Sequence, residues 1–90
     1  MNEKDFLDFL SNKNFPKPLL VNQPANGGLD QHSHDFEVWA LVVDGSIQLE
    51  IDGKLSTYKS GEVFHLQFKQ EHRETYGPTG VSYLASRKSH

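Results

Sequence analysis

The chain contains no cysteine. That excludes disulfides, thiolate metal sites and cysteine nucleophiles, and it suits a reducing cytoplasm. No apolar run approaches the ~20 residues that a membrane helix needs. The first ten residues, MNEKDFLDFL, carry acids where a secretory signal would carry positive charge ahead of an apolar block. Basic residues are few and scattered. Nine Lys and Arg stand against twelve Asp and Glu, for a net charge of −3, and no cationic stripe forms. A nucleic-acid partner is therefore not expected. The expectation is a soluble cytoplasmic protein with neither a nucleic-acid nor a membrane partner.

Ninety residues make one small domain at most. A chain of this length buries only about 60–65% of the surface that it exposes when unfolded. With disulfides excluded, a bound metal or a homodimer would add to a thin core.

Residues 3 to 13, EKDFLDFLSNK, read as a short helix. Phe6, Phe9 and Leu10 fall at i, i+3 and i+4 on one face, with Asn2 or Asp5 as the cap. Pro16 and Pro18 then forbid helix, so residues 1–18 form a helix and an extended arm. From Leu19 onward the pattern is strand and turn, with signals about every 8–12 residues. EVWALVV, 37 to 43, is apolar on both faces, as in a buried strand. Asp44-Gly45-Ser46 reads as a turn, Asp52-Gly53 as a hairpin, Ser60-Gly61 as a further turn, and GPTG, 77 to 80, as the last. About eight short antiparallel strands over 19–90 must manage their edges, and a small barrel does so.

Within this pattern, Gly27-Gly28, His32-x-His34 and Gly45 are followed by Gly61 and then His72. The spacing resembles the two motifs of the cupin superfamily. Its first motif runs from a Gly-rich lead-in through His-x-His to Glu and Gly, and its second runs from Gly through Pro-x-Gly to His. The likeness covers residues from about 19 to 86. ETYGPTGVSYL further resembles the small stand-alone members. The resemblance implies an all-β fold, the cupin double-stranded β-helix or jelly-roll barrel, here with a short N-terminal helix. It also implies a divalent transition metal (Fe, Mn, Ni or Zn) held by His32, His34 and His72, and often a homodimer. Gln67 and Lys69 stand where the second motif has Pro and Gly. His65 and His90 match no ligand position.

Strand geometry makes the paired histidines reasonable ligands. On one strand, His32 and His34 point the same way with Cα atoms about 6.6 Å apart, close enough to lean onto one ion. Glu37 is doubtful as a ligand. The family spacing puts its Glu at position 38, which is Val38 here, and on a regular strand Glu37 faces away from His34. A bulge between Asp35 and Val38 would turn Glu37 back. Otherwise it is a rim residue, paired with a Lys or Arg. Three neutral histidines leave the metal charge uncompensated, which favours an anionic ligand.

Val38, Ala40 and Val42 are expected to line the interior. Phe64 and Leu66, or alternatively Val63 and His65, line it from the second strand. Gln67, Tyr76 and Tyr83 are candidate polar contacts. Trp39, Leu41 and Val43 face the other way, under the N-terminal helix or a second subunit. The functional expectation is a small metal-binding cupin with an apolar pocket for a small, anionic molecule. The alternative is a metal-dependent enzyme, of oxygenase, isomerase or decarboxylase type, acting on a small carboxylated or phenolic substrate. No general acid or base for the alternative is evident beyond a Tyr or the histidines themselves.

Overall fold

The computed structural model describes residues 1–89. His90 lies outside the described residues. The order is α1 (Glu3–Asn12), β1 (Leu19–Gln23), β2 (Gly28–His32), β3 (Glu37–Ile51), β4 (Lys54–Lys59), β5 (Val63–Leu66) and β6 (His72–Lys88).

Helix α1 starts where Asn2 caps it, its side-chain oxygen accepting the Asp5 N–H at 2.8 Å. It ends at Lys13, after which Asn14 takes a left-handed φ of 59° and Pro16 prevents continuation. Phe6 and Leu10 are buried against Leu41 of β3, and Phe9 meets Trp39 edge-on with ring centroids 4.8 Å apart. Each fully buried Phe or Leu is worth about 1.5–3 kcal/mol, so the helix is held mainly by this face. The helix thus covers Trp39 and Leu41, while Val43 stays 37% exposed. Among the described residues, no helix is long and apolar enough to cross a membrane.

All strand pairs are antiparallel, and β3 and β6 pair along almost their whole lengths. The first half of β3 and the second half of β6 lie between β5 and β1. The second half of β3 and the first half of β6 lie between β4 and β2. Two four-stranded halves therefore share two long strands that bend between them. The inward faces meet in a core that includes Val38, Ala40, Val42, Leu49, Phe64 and Leu66. Phe64 and Leu66 point inward, which settles the phase of β5. Val63 packs beside the helix instead, and His65 stacks on Trp39.

Two expected turns are corrected. Asp44-Gly45-Ser46 and GPTG, 77 to 80, do not reverse the chain but lie inside β3 and β6. The β3–β6 register shifts between Val42 and Asp44 and again between Gly45 and Ile47. Gly45 and Gly80 both take positive φ, 73° and 79°. A Cβ on Gly45 would strike the Gly80 carbonyl. A bulge and a turn draw on the same residue types, because both need a left-handed backbone. Among the described residues, six strands, two of them long, therefore replace the eight or so short ones expected. The Asp52-Gly53 hairpin is as read, with both residues at positive φ, 52° and 78°.

Candidate metal centre

The barrel brings the three histidines together from separate places. His32 ends β2 and pairs in register with His72, the first residue of β6. His34 follows in the bend between β2 and β3. Its carbonyl accepts the Lys69 N–H at 2.8 Å, tying this bend to the turn before His72. Ring centroids are 4.3 Å apart for His32 and His72, 4.9 Å for His32 and His34, and 5.2 Å for His34 and His72. One ring nitrogen of each lies within 4.8 Å of the others. Ligand atoms about 2.1 Å from a shared ion are at most about 4.2 Å apart, so small ring rotations would gather all three.

Backbone contacts fix two of the tautomers. His32 Nδ1 lies 2.6 Å from the Asp30 carbonyl oxygen, and His72 Nδ1 lies 3.0 Å from that of Gln70. A carbonyl only accepts, so each Nδ1 carries the hydrogen and each Nε2 is left to face inward. Metal-bound histidines are oriented in this way by the hydrogen bond of the other nitrogen. His32 Nε2 is buried and has no hydrogen-bond partner among the described residues.

A carboxylate stands at the point where these nitrogens converge. His72, Glu74 and Tyr76 alternate along β6 and are all buried, while Arg73 and Thr75 between them are exposed. Glu74 Oε2 lies 3.1 Å from His72 Nε2 and 3.5 Å from His32 Nε2. Its Oε1 accepts the Tyr76 hydroxyl at 2.9 Å. Burial alone would raise the Glu74 carboxyl, but the hydrogen bonds from His72 and Tyr76 and the nearby histidines bring it below its ordinary value. Burial alone would lower His72, but Glu74 and the Gln70 carbonyl outweigh it and leave His72 raised. His34 is lowered by burial and then by the charges of His72 and His32. Tyr76 is raised by burial and by Glu74, so it stays a donor. With Nδ1–H given to the backbone, a neutral His72 would turn a lone pair toward a carboxylate oxygen. A proton or a metal ion between them removes that repulsion, so the donor set suits a cation.

Glu74 was not found from the sequence. Its signal is HRETY, 72 to 76, in which His, Glu and Tyr occupy every second position of one strand and so share a face. Glu37, the doubtful candidate, points the other way. Strand β3 is in regular register from its first residue, with Glu37 opposite Lys88 and Val38 opposite Arg87. Glu37 Oε2 lies 2.6 Å from His65 Nε2, away from the three clustered histidines.

A cavity of about 160 Å³ adjoins the cluster. Of the residues expected to line a pocket, Val38, Phe64 and Tyr83 do so, together with His34, Glu74 and Arg87. Ala40 and Val42 are fully buried in the core instead. Tyr76 is buried and bonded to Glu74. Gln67 is exposed in the turn after β5, where its N–H donates to Gln70 Oε1. A larger groove of about 480 Å³ lies between α1 and the arm, lined by residues such as Leu7, Phe15 and Leu84, and includes none of the histidines.

No family model matches the sequence, and no curated protein matches it significantly. Solved structures do match the fold. The cupin domain of Cnp3 from Schizosaccharomyces pombe superposes with a TM-score of 0.71 at 13% identity, over 84% of this chain and 60% of that one. An RmlC-like cupin from Shewanella frigidimarina gives 0.67 at 18%, over 78% and 62%. Oxalate decarboxylase of Bacillus subtilis, described with Mn(II) centres, gives 0.69 at 17%, over 78% of this chain and 20% of that one. The chain thus spans less than two thirds of the length of each of these three. Its fold is the cupin fold, the double-stranded β-helix.

Proposed function

We propose that this chain is a metal-binding module that holds one divalent transition ion and takes a small anionic molecule beside it. His32, His34 and His72 would hold the ion, with Glu74 as a fourth ligand. The observation that carries this reading is the buried, unpartnered Nε2 of His32, aimed with His72 Nε2 toward one oxygen of Glu74. The Mn(II) centres of the structurally similar oxalate decarboxylase support an ion of this class. Iron, manganese, nickel and zinc all accept imidazole and carboxylate ligands. An ion held here would supply a Lewis acid for an oxygen-bearing ligand. Three neutral histidines and one carboxylate leave a net charge of about +1 on a divalent site, still favouring an anion.

Glu74 also supports a second, catalytic reading. It supplies the acid–base group that the sequence did not reveal, and the Tyr76 hydroxyl holds it in place. A metal-dependent enzyme acting on a small carboxylated or phenolic molecule would use it to move a proton. The homodimer is kept within this proposal. Its support is β1, whose outer side has no paired strand among the described residues and where Leu19 and Leu20 are 75% and 57% exposed.

The test is metal content after purification without a histidine tag, followed by calorimetric titration with Fe(II), Mn(II), Ni(II) and Zn(II). One equivalent of at least one metal is expected. A protein that retains none and takes up none of the four refutes the metal reading.

A further inference from the structure

The cavity beside the histidines has a cation at its wall that metal binding does not use. Arg87 lines it from near the end of β6, two positions beyond Ala85 and four beyond Tyr83, which line it too. Among the described lining residues it is the one Lys or Arg. Its guanidinium carbon sits 5.0 Å from the centre of the Phe36 ring. Phe36 in turn stacks on His34, with centroids 4.8 Å apart and planes 11° apart. Arg87, Phe36 and His34 thus form a layered wall, with the exposed Arg87 at one end and the metal-ligand cluster at the other. The rest of the wall is mainly apolar, with Val21, Val38, Phe64 and Leu66.

We infer that Arg87 is the anion-recognition residue of this cavity, and that the ligand class is a small carboxylate with an apolar body no larger than a benzene ring. This rests on reading the His-lined cavity as a ligand site. The chemistry follows from three features. A guanidinium fork matches a planar carboxylate with two parallel hydrogen bonds. In the metal-free protein the buried charge of Glu74 repels a second carboxylate from its own side of the cavity, which directs the anion toward Arg87; with a divalent ion bound, the net charge of about +1 adds to the attraction. The volume of about 160 Å³ is close to the ~150 Å³ of a cavity that accepts benzene. The guanidinium lies over the Phe36 ring, a cation–π contact that favours its position at the cavity wall.

The experiment is calorimetric titration with benzoate, its neutral isostere benzamide, and the bulkier 1-naphthoate. It uses the metal-loaded and metal-free protein and the variants Arg87→Gln and Arg87→Lys. Benzoate should bind the parent protein at least tenfold more tightly than benzamide or 1-naphthoate. Arg87→Gln should lose the preference over benzamide while keeping that over 1-naphthoate, Arg87→Lys should keep part of the former, and both should take up metal as the parent does. Benzoate binding that is absent, matched by benzamide, or unchanged in Arg87→Gln overturns the proposal. If no metal binds but benzoate still depends on Arg87, the metal reading fails and this one stands.

Discussion

Replacing Glu74 by Gln removes one charge and almost no volume. Its consequences separate a metal ligand from a residue that merely satisfies His72. In the metal-free protein the amide oxygen can still accept from the Tyr76 hydroxyl, and the amide N–H₂ can donate to His72 Nε2. What is lost is the charged character of a hydrogen bond seen at 3.1 Å. Such bonds contribute about 1.5–3 kcal/mol, part of which the amide recovers, so the metal-free protein should lose about 1–2 kcal/mol in urea unfolding at pH 7. The metal-bound protein should lose far more. Two unit charges 4 Å apart interact by about 4 kcal/mol at an effective dielectric constant of 20, and a bonded carboxylate is nearer than that to a divalent ion. Substitutions in the residues that merely support metal ligands cost about 10–100-fold in affinity. Loss of a ligand should therefore exceed about 100-fold, or ~2.7 kcal/mol. Competition against a chelator of known affinity measures it. A Glu74→Gln protein that binds metal within about threefold of the parent would refute the assignment of Glu74 as a ligand.

The other substitutions sort by side chain. His34→Ala should abolish tight metal binding and lower Tm only when metal is present, as scanning calorimetry with and without metal would show. His72→Ala should also abolish binding, but it should cost about 1–3 kcal/mol even without metal, because buried Glu74 loses its partner; equal Tm values for metal-free parent and variant would contradict this. Glu37→Ala should leave metal affinity within about twofold, since Glu37 bonds His65 on the outer face; a loss matching that of His34→Ala would sink the strand-parity argument. Acid should weaken metal binding, because protons compete for the imidazoles, and the raised His72 makes that competition begin at higher pH than for a free histidine near 6.5. In the metal-free protein the His72 contribution to stability is complete below about pH 6.5 and lost as pH rises through its raised value, whereas that of Glu74 is complete above about 4.3 and lost as pH falls. Urea unfolding from pH 4 to 9 should therefore show a pair contribution, absent from Glu74→Gln, that peaks between those limits.

Much of the fold was legible because local chemistry agreed with tertiary need. Phe6 and Leu10 share a helix face and are buried as that spacing requires. Val38 alternates with Glu37, and the two face opposite sides. The bends at Gly45 and Gly80 were misread, because a left-handed glycine marks a bulge as readily as a turn, and only the strand pairing across it distinguishes them. The phase of β5 could not be read through the turn before it, where one residue more or less reverses every side chain. Glu74 was missed for a different reason. The family spacing puts the carboxylate on the strand after His-x-His, whereas the structure places one two residues beyond the third histidine, and nothing local marks HRETY as inward-facing until β2 and β3 pair with β6. Nothing local marks Arg87, an exposed residue near the end of β6, as part of a cavity wall; the pairing of β6 with β3 places it there.

The most direct measurement is a crystal structure of the protein loaded with Zn(II) or Mn(II), with the ion located by its anomalous signal. The account predicts one ion bonded to Nε2 of His32, Nε2 of His72, a ring nitrogen of His34 and a carboxylate oxygen of Glu74, each at about 2.0–2.2 Å. An ion bound elsewhere, or one that leaves Glu74 paired only to His72 and Tyr76, would contradict it.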